Sequence, residues 1–138
     1  MTLSKTVLWI DDDIKRMAPS LIEALEWQDL YVARAHSVED ALKMFAEMKD
    51  RLDLIIMDIL MPPGSLSRSE TDRGRRTGLV LLRKFSEISG SVPPVIVLTV
   101  VRDKHVKKRA LEMGVAYYLT KPCRPSKLRS VAQKFLCK

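Results

Sequence analysis

The chain predicts an α/β fold in which a parallel sheet of five strands carries helices on both faces. Three observations lead there. Short runs of continuous apolar residues recur along the chain, segments with apolar residues at helical spacing lie between them, and the two kinds alternate as βα five times over. With right-handed crossovers, that order closes into a doubly wound sheet.

The strands are expected at TVLWI (6–10), YVARA (31–35), DLIIM (53–57), PVIVLT (94–99) and AYYLT (116–120), mostly β-branched or aromatic runs of strand length. The first, third and fourth are apolar throughout rather than alternating, as central strands buried on both faces must be. Between them, Met17, Leu21, Ala24 and Leu25 make the first helical stripe, with Pro19 delaying its first turn. Ser37 followed by Asp40 resembles a capping box, after which Ala41, Leu42, Phe45 and Met48 continue a helical face. Leu79, Leu82, Phe85 and Ile88 form a third stripe, stopped near Gly90. Val106, Ala110, Leu111 and Met113 form a fourth, closed by Gly114, and Leu128, Val131, Ala132 and Phe135 form the last. One segment breaks the alternation. PPGSLSRSETDRGRRTG (62–78) is a polar loop far longer than the few residues of an ordinary βα connection, which makes it functional or disordered.

The 138 residues suffice for one domain with its own core, and 46% hydrophobic with 30% charged residues excludes a disordered or fibrous chain. No apolar run approaches the roughly 18 residues of a membrane span, and the N-terminal one is too short for a signal peptide. A cytoplasmic protein with no membrane insertion is expected. Cys123 and Cys137 lack metal-ligand spacing and are too few for a disulfide framework, so both read as reduced thiols. The net charge of +7 is unevenly spread: residues 1–62 carry 7 Lys/Arg against 12 Asp/Glu, whereas residues 102–138 carry 11 against 2. Such a basic third suggests an acidic partner, whether protein, nucleic acid or anionic lipid, unless it is a solvated surface.

Ligands of open α/β sheets bind beyond the carboxyl ends of the strands. Asp11, Asp12 and Asp13 end the first strand, Asp58 the third, Thr99 the fourth and Lys121 the fifth. Singly, each has a plainer explanation as a helix cap, a strand end or a surface lysine. Four strand ends placing complementary groups on one edge are hard to ascribe to accident. Two carboxylates about 4 Å apart repel by roughly 4 kcal/mol at an effective dielectric near 20, so the cluster calls for a cation. Oxygen ligands without His or thiolate suit a hard ion, Mg²⁺ above all, with Mn²⁺ as a substitute. Such a metal leaves room for a phosphoryl group, held also by Lys121 and the Thr99 hydroxyl, and a neighbouring carboxylate can act as nucleophile to give an acyl phosphate.

VLWIDDD, DLIIMDILMP, PVIVLT and YYLTKP, in this order and spacing, resemble the receiver domain of two-component response regulators over essentially the whole chain. The resemblance implies a flavodoxin-like fold with strand order 2-1-3-4-5, five helices, and a single receiver domain over residues 1–138. It also implies transfer of a phosphoryl group to Asp58 from a phosphohistidine of a sensor histidine kinase or histidine phosphotransfer protein. Asp11 and Asp12 match the acidic pair, with Asp12 as the direct metal ligand beside Asp58 and the backbone carbonyl of Leu60. Asp13 flanks the following helix. Lys121 pairs with the phosphoryl group, Thr99 moves toward it on activation, and Tyr118 matches the aromatic switch position or packs in the core. The Lys121–Pro122 peptide is expected to be cis. Activation would be signalled through the fourth helix, fifth strand and fifth helix, where the basic 102–138 segment meets an acidic protein.

Several residues depart from the family pattern. Val100 stands where a small residue is usual and is expected to narrow access to Asp58. Leu60 and Val101 replace polar side chains that influence attacking water, which predicts slow autodephosphorylation and a long-lived aspartyl phosphate. Cys123 replaces an aromatic residue. The 62–78 loop, with Arg68, Arg73, Arg75 and Arg76, either covers the pocket, selects the kinase or extends into solvent, the last being the default expectation. His36 and His105 are given no catalytic role. The reading is of a regulatory switch rather than an enzyme, either stand-alone or a piece of a longer protein. A haloacid-dehalogenase-type phosphatase is disfavoured because Lys15 stands at the last position of its Asp-x-Asp-x-Thr/Val signature. A nucleic-acid-binding domain lacks interleaved aromatics along RDKHVKKR.

Overall fold

The computed structural model describes residues 5–13, 23, 25 and 30–136. Its strands are β1 (Lys5–Ile10), β2 (Leu30–Ala35), β3 (Leu54–Met57), β4 (Val95–Thr99) and β5 (Tyr117–Thr120). Its helices are α1 (Val38–Met48), α2 (Thr77–Ile88), α3 (Lys104–Glu112) and α4 (Pro125–Leu136). All strand pairs are parallel, in the order β2-β1-β3-β4-β5. Strand bounds agree with the sequence expectation to within one residue. Of the first predicted helix, Leu25 is helical and fully buried, while Met17, Pro19, Leu21 and Ala24 lie outside the described residues, as does Cys137.

Continuous apolar strands are explained by where alternate residues go. Leu8, Ile10, Ile55, Met57, Val95 and Val97 join one core layer, with the buried sides of α1, α2 and α3. Val7, Trp9, Leu54, Ile56, Ile96 and Leu98 join the other, with Leu25 and α4. Phe45 of α1 stacks on Phe85 of α2 with ring centroids 4.2 Å apart, which adds roughly 0.5–1.5 kcal/mol beyond the area buried. Among the described residues, no helix is long and apolar enough to cross a membrane.

Helix ends follow local chemistry. The Ser37 hydroxyl accepts from Asp40 N–H at 3.1 Å and starts α1. Asp103 accepts from the N–H groups of His105 and Val106 and starts α3, and Gly114, at φ +96°, follows it in the left-handed region. The stop expected near Gly90 is made differently: Ser89 turns to an extended conformation and its N–H donates to Phe85 O at 2.9 Å. Ile88 and Leu111, read as core-facing, are exposed, because each lies at the solvent margin of its stripe.

The long loop is largely exposed to solvent, as expected by default, but it is folded rather than free. It runs through successive turns whose ends close on each other: Met61 N–H donates to Gly74 O at 3.1 Å, and Gly78 N–H to Ile59 O at 3.0 Å. Two buried hydroxyls pin it, Thr71 donating to Ser67 O at 2.8 Å and Thr77 to Met61 O at 2.6 Å. Glu39 of α1 accepts from Ser65 N–H at 2.8 Å, a hydrogen bond that also lowers the pKa of its carboxyl.

Candidate functional site

Register places the site. Ile10 pairs with Ala35 on one side and Met57 on the other, and the ladder runs one residue further, with Asp11 N–H on Ala35 O and Asp58 N–H on Ile10 O. Asp11 and Asp58 therefore leave adjacent strands side by side. Thr99 pairs with Thr120, and Lys121 N–H donates to Thr99 O at 2.8 Å, which brings the lysine to the same edge. An open pocket of about 560 Å³ lies there, with Asp12, Asp58, Leu60, Val100 and Lys121 in its wall.

Asp11 and Asp58 are buried, at 1% and 5% exposure, which a carboxylate tolerates only with partners. Each has two. The N–H two residues on closes a local turn with one oxygen, Asp13 on Asp11 at 2.8 Å and Leu60 on Asp58 at 3.1 Å. The Lys121 ammonium takes the second oxygen of both, at 2.9 Å each. Burial by itself would depress the lysine's pKa, but the hydrogen bonds to Asp11 and Asp58 outweigh it and hold the group charged. Burial raises the pKa of Asp11 despite the lysine, and burial followed by the charge of Asp11 raises that of exposed Asp12. The repulsion expected from the sequence is thus met in this structure by a protein cation.

A cation site remains chemically fitting. Asp11, Asp12 and Asp58 supply oxygen only, and the pKa values of Asp11 and Asp12, raised first by burial, are raised further by neighbouring carboxylates. Among the described residues, no three acidic, His or Cys side chains converge into a ready cage, and Lys121 bridges Asp11 and Asp58. A hydrated Mg²⁺ needs only one or two carboxylates, so the donor set fits that ion rather than a fully protein-ligated one.

Thr99 is fully buried and Tyr118 nearly so. They hold one peptide segment from two sides, since Thr99 Oγ1 accepts from Val101 N–H at 3.3 Å and Tyr118 OH donates to Val101 O at 2.7 Å. Burial, with the charge of Asp58 second, pushes the Tyr118 pKa up to about 12, so the phenol stays protonated as the donor. The Lys121–Pro122 peptide is cis. Cys123 is half-buried against the α4 core layer, and burial raises its thiol pKa. His36 and His105 are exposed.

Three contributors went unrecognised in the sequence reading. A Cβ at Gly78 would meet the Asp58 carbonyl and come 2.8 Å from Ile59 Cα, so this glycine lets the start of α2 lie against the backbone that carries Asp58. Arg73 and Gly74 of the loop also stand in the pocket wall. The loop's length and arginines drew attention to the segment, but nothing local singled out Arg73.

The response regulator receiver domain model matches residues 7–133. Transcriptional regulatory protein CpxR of Escherichia coli (strain K12) is 29% identical over 116 residues, 84% of this chain, which spans only 42% of that relative's length. The CheX-CheY-BeF3-Mg²⁺ complex from Borrelia burgdorferi contains a chain that superposes with a TM-score of 0.78 at 18% identity, over 97% of this chain and 90% of that one. A Burkholderia pseudomallei response regulator with a phosphorylated aspartic acid, calcium ion and citrate gives 0.70 at 23% identity, over 96% and 66%. The two structures speak for the fold, and the family model for the kinship. With its five-stranded parallel sheet in the order 2-1-3-4-5 and a match along 7–133, the chain belongs to the response regulator receiver domain family.

Proposed function

We propose that this protein is a phosphorylation-dependent signalling switch whose phosphoacceptor is Asp58. The observation that carries the reading is the single ammonium of Lys121 lying 2.9 Å from both Asp11 and Asp58 at the rim of an open pocket. A side chain so held is ready to follow negative charge. In the transfer, an Asp58 carboxylate oxygen forms a bond to phosphorus while the P–N bond to a donor histidine breaks, its electron pair returning to the imidazole nitrogen. The donor is a sensor histidine kinase or a histidine phosphotransfer protein. Mg²⁺, or Mn²⁺ in its place, would be held by Asp11, Asp12, Asp58 and the Leu60 carbonyl and would neutralise oxygen charge on the phosphoryl group.

Phosphorylation of Asp58 turns an acceptor of Lys121 into a larger anion. Lys121 follows the phosphoryl oxygens, and the Thr99 hydroxyl exchanges Val101 N–H for the same oxygens. Because Tyr118 holds the other end of that Val101 peptide, the exchange reaches β5 and α3. There, exposed Lys107 lies 5.9 Å from the Tyr118 ring centroid, and Lys127 and Lys134 flank Tyr117 at 5.7 and 5.5 Å. An acidic protein partner suits this basic surface of residues 102–138. Leu60 in the pocket wall, and Val101 just beyond Val100 of that wall, offer no polar group to orient water, so autodephosphorylation is slow.

Incubation with acetyl phosphate and Mg²⁺, comparing native protein with Asp58→Asn, tests the assignment. Labelling of the native protein alone, persisting for minutes to hours after donor removal, is the expected result. Equal labelling of both proteins overturns Asp58 as acceptor, and loss of label within seconds overturns the slow hydrolysis.

A further inference from the structure

Arg73 shares a pocket with Asp58 and Lys121, yet it comes from the loop inserted between β3 and α2. Of the loop's other arginines, Arg75 lies 3.4 Å from Asp72, and Arg68 and Arg76 do not line this pocket. The Arg73 guanidinium makes no ion pair or side-chain hydrogen bond among the described residues. Its backbone, by contrast, is held. Arg73 N–H donates to Arg68 O at 2.8 Å, and Asp72 and Arg73 occupy the left-handed region at φ +51° and +57°. Gly74 follows at φ +93°, where a Cβ would come 2.8 Å from Met61 O. Two consecutive left-handed residues that are not glycine persist only where surrounding bonds impose them, and here Asp72 O accepts from Arg75 N–H at 3.2 Å and Gly74 O from Met61 N–H at 3.1 Å. A rigid base thus sets a residue with an uncommitted guanidinium in the pocket wall.

Resting on the reading of Asp58 as phosphoacceptor, we infer that Arg73 is a second phosphoryl-binding residue of this site, supplied by the inserted loop. The pocket holds more acid than base. Lys121 is already divided between Asp11 and Asp58, Asp12 adds a further carboxylate, and an incoming phosphoryl group brings nearly two more negative charges. A guanidinium matches this need better than another ammonium. Its planar fork donates two parallel N–H bonds to two oxygens of one phosphoryl group, and it stays charged at every relevant pH. Because charge in phosphoryl transfer spreads over the equatorial oxygens, the contact favours both docking of an anionic donor and the transfer itself. With acetyl phosphate, an Asp58 oxygen bonds to phosphorus, the donor's P–O bond breaks, and acetate leaves with the electron pair.

The test follows the phosphorylated fraction by intact mass against acetyl phosphate concentration in Mg²⁺, for native protein, Arg73→Asn, Arg73→Lys, Arg75→Ala and Asp58→Asn. Asn removes the charge and tolerates the left-handed backbone. Arg73→Asn is expected to lower the apparent second-order rate constant about tenfold, the loss of one charge-assisted hydrogen bond, with an increase in the half-saturating donor concentration. Arg73→Lys recovers part of that loss, Arg75→Ala stays within about twofold of native, and added salt narrows the gap between native and Arg73→Asn. Native kinetics in a folded Arg73→Asn, with labelling confined to Asp58, overturn the role of Arg73 alone. Labelling undiminished in Asp58→Asn, or absent from the native protein, overturns the phosphoacceptor reading and this inference with it. If Arg73→Asn melts lower than native, Arg73→Lys decides: a rate above that of Asn supports the role, and a rate equal to it overturns the role.

Discussion

Asp12 carries a cost that its neighbours impose. Partial burial and the adjacent Asp11 raise its pKa in the folded protein, so folding binds a proton there more tightly than the unfolded chain does. At neutral pH the group is ionised in both states and the penalty is fully felt; as pH falls through the raised pKa toward the ordinary value, protonation of the folded state relieves it. Asp12→Asn is therefore expected to stabilise the metal-free protein at pH 7, by about a few tenths of a kcal/mol because the side chain keeps much of its solvent. The gain should fade as pH approaches 4, which urea titrations of both proteins at several pH values will check. Lys121 is the counterpart. It relieves Asp11 and Asp58 directly but makes no hydrogen bond to Asp12, which keeps its penalty.

The inserted loop shows what an element requires when it has no regular structure of its own. Its hydrogen bonds are satisfied by turns and by contacts with the chain on either side of it, and Thr77 Oγ1 on Met61 O at 2.6 Å is the buried clasp at its foot. Thr77→Val keeps the shape and leaves that carbonyl unpaired in the interior, a loss of roughly 1–3 kcal/mol. The expected outcome is a lower urea midpoint with faster proteolysis within residues 62–76, whereas Arg75→Ala, at an exposed pair, leaves both unchanged. The regular elements were readable because their rules are local. β1, β3 and β4 are buried on both faces and so are apolar along 7–10, 54–57 and 95–98, and the Ser37 cap and Gly114 stop use side-chain and backbone chemistry within a few positions. The loop's path was not readable, since Glu39 to Ser65 and Gly78 to Ile59 join segments that no periodicity relates.

At the scale of the molecule, the site exists only while β1, β3, β4 and β5 stand in register, and a ligand that binds there must stabilise the whole fold. Mg²⁺ in hundredfold excess over its Kd is expected to add about 2.7 kcal/mol to the unfolding free energy. EDTA should reverse the gain and Asp12→Asn should diminish it; an unfolding midpoint indifferent to Mg²⁺ in the native protein would argue against a metal at this edge.

By itself, the sequence determined the doubly wound sheet and the cluster of Asp11, Asp12, Asp58, Thr99 and Lys121 at its carboxyl edge. Apolar periodicity reports burial, and strand ends in such a sheet face a common edge. Only the tertiary structure decided how the charges pair. Lys121 meets Asp11 across 110 residues and Asp58 across 63, and Thr99 shares the Val101 peptide with Tyr118. Arg73 reaches the same pocket through a loop closed on itself. Such pairings depend on register and on turns between distant segments, and no local pattern of residue types encodes them.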